Sequence, residues 1–234
     1  MSGPGFPPLF QGLATAGADP VAIACTEARR GCDAGLVTYD IGLDSLRAAI
    51  VFAPEVPLRK AMIMLPNCGI GFQNALGALA PPEVSVHLEW QGDIRVNGAS
   101  CGALTIAASP VDADAEPDWL VVGLTLPLWS DGAETGETPD RTTLADEGCS
   151  EVDPTDLLEA WVRHTLVWIN RWDEEGVKPV HSEWTGLAHG MGETVSQGGR
   201  TGKFLGIDEN FGLLLQQNDQ TMIIPITDTL TEAP

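Results

Sequence analysis

Val84-Ser85-Val86-His87-Leu88-Glu89-Trp90-Gln91-Gly92-Asp93-Ile94-Arg95-Val96-Asn97-Gly98-Ala99-Ser100-Cys101-Gly102-Ala103-Leu104-Thr105-Ile106-Ala107-Ala108 is the stretch that decides the fold. Val84, Val86, Leu88 and Trp90 alternate with Ser85, His87 and Glu89, the period-two pattern of a strand with one buried face. Asn97-Gly98 stands between Ile94-Arg95-Val96 and an apolar run from Gly102 to Ile106. A type I′ turn needs positive φ at both central residues, which Asn-Gly supplies, so a hairpin is expected here.

Strands and helices extend from this hairpin in both directions. Leu36 to Tyr39 and Leu46 to Phe52 read as strands joined by a turn over Asp40 to Ser45, and Trp119 to Leu126 reads as another buried strand. Asp19-Pro20 and Asp153-Pro154 each place a capping carboxylate before a proline at the first helical position. The first helix runs to Arg30. The second carries Leu158, Trp161, Val162, Thr165, Trp168, Ile169 and Trp172 on one face and ends at Gly176. Trp161, Trp168 and Trp172 are read as core. Between strands, one helix is expected from Pro57 to Leu65, closed by Pro66, and another carrying Phe72, Ala75, Leu76 and Leu79, stopped by Pro81-Pro82. Phe6 to Phe10 is expected to lie extended on the surface, Trp129 to Glu151 to be a solvated connection with one turn of helix, and Lys178 to Leu187 to be a link. Glu193 to Val195, Lys203 to Ile207, Gly212 to Gln216 and Thr221 to Pro225 are expected to be four short strands of a small barrel-like module.

The order of these motifs resembles the biotin protein ligases and their lipoate-ligase and octanoyltransferase relatives. Trp-x-x-Asp at Trp90 and Asp93, the Asn97-Gly98 turn and the small-Gly-aliphatic strand resemble that family's core signature. Trp119 to Gly123 and onward, Thr142 to Gly148, Glu174-Glu175-Gly176 and Gly206 to Leu215 continue the resemblance. It implies an α/β (α+β) fold, a biotin/lipoyl ligase-like mixed sheet with packed helices over residues 1–185, and a small C-terminal β-barrel-like module over 186–234. It also places a ligand at Trp90, Asp93, Ser100, Cys101, Gly102, Gly123 and Thr125.

The departures bear on activity. Family ligases activate an acid with ATP, using a Gly/Arg-rich loop and two lysines where negative charge develops. In this sequence the lysine positions hold Glu89 and Ala99, the Asn that usually follows the later glycine is Thr125, and the place of the loop reads Thr38 to Arg47 with two carboxylates. The leading expectation is a divergent member without adenylating activity, binding a small carboxylic acid or a carrier domain. The alternative is an ATP-dependent ligase or acyltransferase using Arg47, Arg59, Lys60 or Arg95. No residue is assigned a catalytic role, and no cofactor or metal is named.

Other features have plainer readings. Trp90 either walls a ligand or fills the core, and Asp93 either accepts from a ligand or opens a strand. Cys101 is either an acyl-accepting thiol or, as its neighbours favour, a buried structural one. Gly198 to Lys203 lacks the spacing of a phosphate loop and reads as a hairpin turn, and His181, Glu183 and His189 form a weak candidate metal set. Lys+Arg 12 against Asp+Glu 33 gives a formal charge of -21, which disfavours nucleic acid and anionic membrane. The five cysteines lack metal spacing and are expected to be free thiols. With no charged-then-apolar leader and no membrane-length apolar run, the expected location is cytoplasmic, and a homodimer is left open.

Overall fold

Alternation along the strands sorts their side chains onto two faces, and the structure uses both. It is a computed structural model that describes residues 3–130 and 140–234. Strands β1 (Gln11–Ala14), β2 (Leu36–Ile41), β3 (Ser45–Phe52), β4 (Val86–Leu88), β5 (Asp93–Val96), β6 (Ala99–Ser109) and β7 (Trp119–Pro127) form one sheet in the order β1-β2-β3-β7-β6-β5-β4. Only β1 and β2 pair in parallel. Leu46, Ala48 and Ile50 of β3, with Leu120, Val122 and Leu124 of β7, face the main core. The intervening Ala49, Val51, Trp119 and Val121 pack on Ala24, Cys25 and Ala28 of helix α1 (Pro20–Arg29).

The helices form where their caps and apolar faces dictate. Asp19 accepts from the Val21 amide at 3.2 Å, and Asp153 accepts from those of Thr155 and Asp156 at 2.7 and 3.3 Å, so both expected N-caps are present. The main core is closed by α3 (Met64–Leu79) against α4 (Pro154–Glu175). These two axes come close at Gly71, where a Cβ would lie 2.6 Å from the Thr165 hydroxyl. Two tryptophans of the α4 face donate indole N–H bonds to α3, Trp161 to the Cys68 carbonyl at 3.0 Å and Trp168 to Asn74 Oδ1 at 2.8 Å. Full burial of a side chain as large as Trp161 contributes about 2–3 kcal/mol.

Two expected boundaries are corrected. Pro66 does not close a helix: α2 is only Leu58–Ala61, and α3 begins at Met64 and runs through the proline. Pro66 sits in the first turn of α3, where backbone N–H groups have no helical acceptor, so its missing N–H removes nothing. Lys178 to Leu187 is not a mere link but most of α5 (Val177–Leu187), with Pro179 tolerated in its first turn for the same reason. The structure also adds β1, and it shortens the strand expected over Val84 to Trp90 to Val86–Leu88. Of the connection expected over Trp129 to Glu151, residues 131–139 lie outside the described residues. Ala145–Cys149 forms one wide helical turn.

Strands β8 (Thr194–Gln197), β9 (Arg200–Ile207), β10 (Leu213–Gln217) and β11 (Gln220–Ile224) form a separate antiparallel sheet in the order β11-β10-β9-β8. Gly198 and Gly199, both with positive φ, make the β8–β9 turn expected of them. The second sheet is tied to the first by a buried hydrogen bond of 2.7 Å from the Trp90 indole N–H to the Phe211 carbonyl. A second tie comes from the tail, where Leu230 bridges Ile106 and the Thr231 amide donates to the Ile106 carbonyl at 2.8 Å.

Because the Trp90 donor is buried with its acceptor, its loss strands a carbonyl. Trp90→Phe is expected to lower stability by about 1–3 kcal/mol in urea unfolding at unchanged m. A change below about 0.5 kcal/mol would mean that this bond does not join the two sheets.

Candidate functional site

Strand register brings five side-chain positions into one row across the face of the main sheet that α1 leaves open. Asp40 pairs with Arg47, Arg47 with Thr125, Thr125 with Ala103, and Ala103 with Asp93. The adjacent row is Thr38, Ala49, Gly123 and Thr105. Gly123 is required there by a neighbour: a Cβ would lie 2.5 Å from Val21 Cγ2 of α1 and 2.7 Å from the Thr105 hydroxyl. The open end of this face continues into a cleft of about 350 Å³ between the two sheets. Trp90, Asp93 and Thr105 line one side, and Gln197, Asp228 and Thr231 line the other.

The seven expected ligand residues separate into three groups. Asp93, Gly123 and Thr125 lie on the same side of the sheet, Asp93 and Thr125 in the open row and Gly123 buried beneath Val21 of α1, and Asp93 accepts from Gln91 Nε2 at 2.7 Å at the cleft. Trp90 borders the cleft but is 6% exposed and serves as the tether to Phe211. Ser100, Cys101 and Gly102 lie where the β5–β6 register shifts. Ser100 uses its backbone to pair with the segment at Asp140 and Thr142, and Gly102 has φ 126° with a Cβ position 2.5 Å from the Thr125 carbonyl. The irregularity lets Cys101 and Leu104, three residues apart, both face the main core, where Cys101 is fully buried. Burial first, then the carboxylate of Glu147 and its neighbours Cys149 and Asp146, push its thiol up to about 12. A thiol held neutral is a poor nucleophile. In this structure Cys101 is a buried thiol of the main core.

Where the resemblance implies a Gly/Arg-rich loop, β2 and β3 are joined by a tight turn, Gly42-Leu43-Asp44, closed by the Gly42 amide on the Ser45 carbonyl at 2.9 Å. Leu43 at its tip is 95% exposed. The candidate cations are engaged or placed elsewhere. Arg47 donates to Asp40 at 2.6 Å, Arg95 to Glu89 at 2.5 Å, and Arg59 pairs with Asp114. Arg59 and Lys60 line a different cavity. His181 approaches the Ile207 carbonyl while His189 stacks edgewise on His87. Among the described residues no group of three or more His, Cys, Asp or Glu is placed to hold a metal ion.

Residues 6–186 match the model of the biotin/lipoate A/B protein ligase family. The chain belongs to that family. Residues 191–232 match a domain of unknown function, DUF4444. A biotin protein ligase-like protein of unknown function from Silicibacter sp. TM1040 is 59% identical and superposes with a TM-score of 0.93, over 98% of this chain and 100% of that one. The biotin protein ligase of Aquifex aeolicus is 17% identical with a TM-score of 0.74, over 92% of this chain and 95% of that one. That of Leishmania major, in complex with biotinyl-5-AMP, is 16% identical with a TM-score of 0.57, over 93% and 99%. These two likenesses establish the fold. No curated protein matches.

Sequence reasoning missed the far wall of the cleft. Gln197, Asp228 and Thr231 come from the second sheet and the tail, and they reach the site through the Leu230 bridge to Ile106, a contact with no local signature. All five cysteines are unpaired, and no helix among the described residues is long and apolar enough to cross a membrane.

Native protein alkylated at pH 8 is expected to take label at half-exposed Cys32 and to leave Cys101 unmodified until denatured. Labelling of Cys101 at the rate of Cys32, read by mass spectrometry, would reinstate it as a nucleophile. The Arg47 guanidinium, with the Gly17 amide, holds the Asp40 carboxyl below its usual pKa. A depressed folded value stabilises above the unfolded pKa of about 3.9, and that contribution is lost as pH falls through the folded value. Asp40→Asn should therefore lower the melting temperature at neutral pH and flatten its decline in acid below about pH 4. Identical acid profiles for the two proteins would show that the pair contributes nothing.

Proposed function

We propose that this chain is a family member that forms no acyl-adenylate and that its cleft receives a cationic segment of a partner protein, such as the lysine-bearing turn of a carrier domain. One observation supports the first half most directly: the tight Gly42-Leu43-Asp44 turn stands where a phosphate-binding loop is implied, and the cation beside it, Arg47, is already paired with Asp40. Stabilising a developing phosphate charge takes donors preorganised to meet it. The first lysine position holds Glu89, whose carboxylate accepts from Arg95, and the second holds Ala99.

The charge of the cleft supports the second half. Its charged lining residues are Asp93 and Asp228, both carboxylates. A free carboxylic acid entering beside them meets like charge, whereas a lysine ammonium meets two acceptors. The proposed division of labour gives residues 1–185 the sheet wall and 186–234 the opposing wall. A small acid is the second reading, supported by the place of Arg47 in the same cross-strand row as Thr125 and Asp93.

The test is isotope exchange between pyrophosphate and ATP with biotin, lipoate or octanoate, alongside calorimetry with a carrier domain. The expected outcome is exchange at background and saturable carrier binding, weakened about tenfold by Asp93→Asn, or about 1.4 kcal/mol. Robust acid-dependent exchange would overturn the non-adenylating assignment, and tight acid binding without carrier binding would favour the second reading.

A further inference from the structure

A second cavity, of about 300 Å³, lies where α2, the junction of α4 with α5 and the turn between β9 and β10 meet. Its apolar lining is Ile63, Trp172, Val177 and Phe211, and its polar lining is Arg59, Lys60, Glu209 and Asn210. It shares no lining residue with the Asp93 cleft. We propose that it is a binding site for a small zwitterion bearing an apolar group, with a free aromatic or branched-chain amino acid as the ligand class.

The charges carry the choice of ligand. The chain has 12 Lys and Arg against 33 Asp and Glu, yet two consecutive cations line this one cavity. Arg59 is already paired with Asp114 and bonded from its Nε to the Ala113 carbonyl at 3.3 Å, so Lys60 is the cation that offers its charge to the cavity. Glu209, from the β9–β10 turn, is the one carboxylate in the lining. A simple carboxylic acid would pair with Lys60 and confront Glu209. A simple amine would do the reverse. A zwitterion matches both, and its apolar group has Trp172 and Phe211 for contact.

The turn that supplies Glu209 is rigid. Asp208 Oδ1 accepts from the amides of Asn210 at 2.9 Å and Gly212 at 2.7 Å, and the Phe211 amide donates to the Asp208 carbonyl at 3.1 Å. Phe211 itself holds φ 61°, a left-handed conformation unfavourable for a large side chain, while 97% of its surface is removed from water. The bond from Trp90 to its carbonyl helps to impose that conformation. The backbone of this turn and the Phe211 ring are therefore held in position before any ligand arrives, which reduces the ordering cost of binding.

The test is calorimetry on the full chain with four probes: L-phenylalanine, L-leucine, 3-phenylpropionate and phenethylamine. Saturable binding is expected for one or both amino acids, with the two single-charge analogues at least tenfold weaker. Lys60→Glu and Glu209→Lys, both at exposed positions, should each weaken amino-acid binding at least tenfold without moving the melting temperature, and the double exchange should recover part of it. Absence of saturable binding by either amino acid, equal binding of the analogues, or indifference to both reversals would overturn the site.

Discussion

Positive φ at both Asn97 (50°) and Gly98 (93°) fixes the point at which β5 becomes β6, and with it the side-chain face of every strand paired onward from there. Because side chains alternate with period two, a slip of one residue would exchange the buried and open faces. In the observed register Asp93, Ala103, Thr125, Arg47 and Asp40 share the open face while Leu104, Ile106, Val122 and Leu124 enter the core. The turn is itself anchored. Asn97 Oδ1 accepts from the Ser85 amide at 2.9 Å, and its Nδ2 donates to Glu147 at 2.8 Å, which links the hairpin to the wide helical turn at Ala145–Cys149. The shift between Asp93 and Arg95 then spends one residue of β6 as a bulge, so that Cys101, opposite Ile94, and Leu104, three residues on, both face inward.

Signals confined to a few neighbouring residues were legible in the sequence. The Asn97-Gly98 turn, the two Asp-Pro helix starts and the short apolar runs of β2, β3 and β7 are each local signals, and all are present. Proline was over-read. Its cost depends on whether its N–H is needed, and the answer for Pro66 and Pro179 depends on where the helix begins: at Met64, ahead of Phe72 where periodicity first marked it, and at Val177, where only a link was expected. Strand β1 was invisible because Gln11–Ala14 is four residues long, contains glycine and is exposed, so it has no buried face to reveal by alternation. Helix α5 carries Val177, Val180, Trp184 and Leu187 at helical spacing, a signal that is passed over when Pro179 is read as a breaker.

The site was legible in the same proportion. Asp93, Gly123 and Thr125 are neighbours because strand register makes them so, and each lay in a strand that the sequence announced. What the tail contributes was not, since the distance between Ile106 and Leu230 along the chain leaves nothing local to read. Charge, by contrast, could be read from the sequence and had structural consequences. A chain this acidic satisfies most of its few arginines with nearby carboxylates, as Arg47, Arg59, Arg95 and Arg171 show.

That pairing separates what holds the ligase-type sheet together from what a phosphate site would need. Sheet, helices and register depend on burial and backbone geometry, and none of the core residues named above carries charge. A phosphate site depends instead on a loop with unpaired donors and on cations not already neutralised. Shortening the β2–β3 connection to Gly42-Leu43-Asp44 leaves the core untouched, since Leu43 is exposed and Ser45 resumes the ladder opposite Pro127. Once that loop is short, Arg47 has Asp40 within 2.6 Å across the hairpin, and the Gly17 amide completes the carboxylate's coordination from the segment before α1. An ion pair so placed stabilises the hairpin locally and at the same time withdraws the nearest positive charge from any incoming phosphate. The architecture is thus held by burial and by local pairing of this kind, and by itself it carries no information about the reaction.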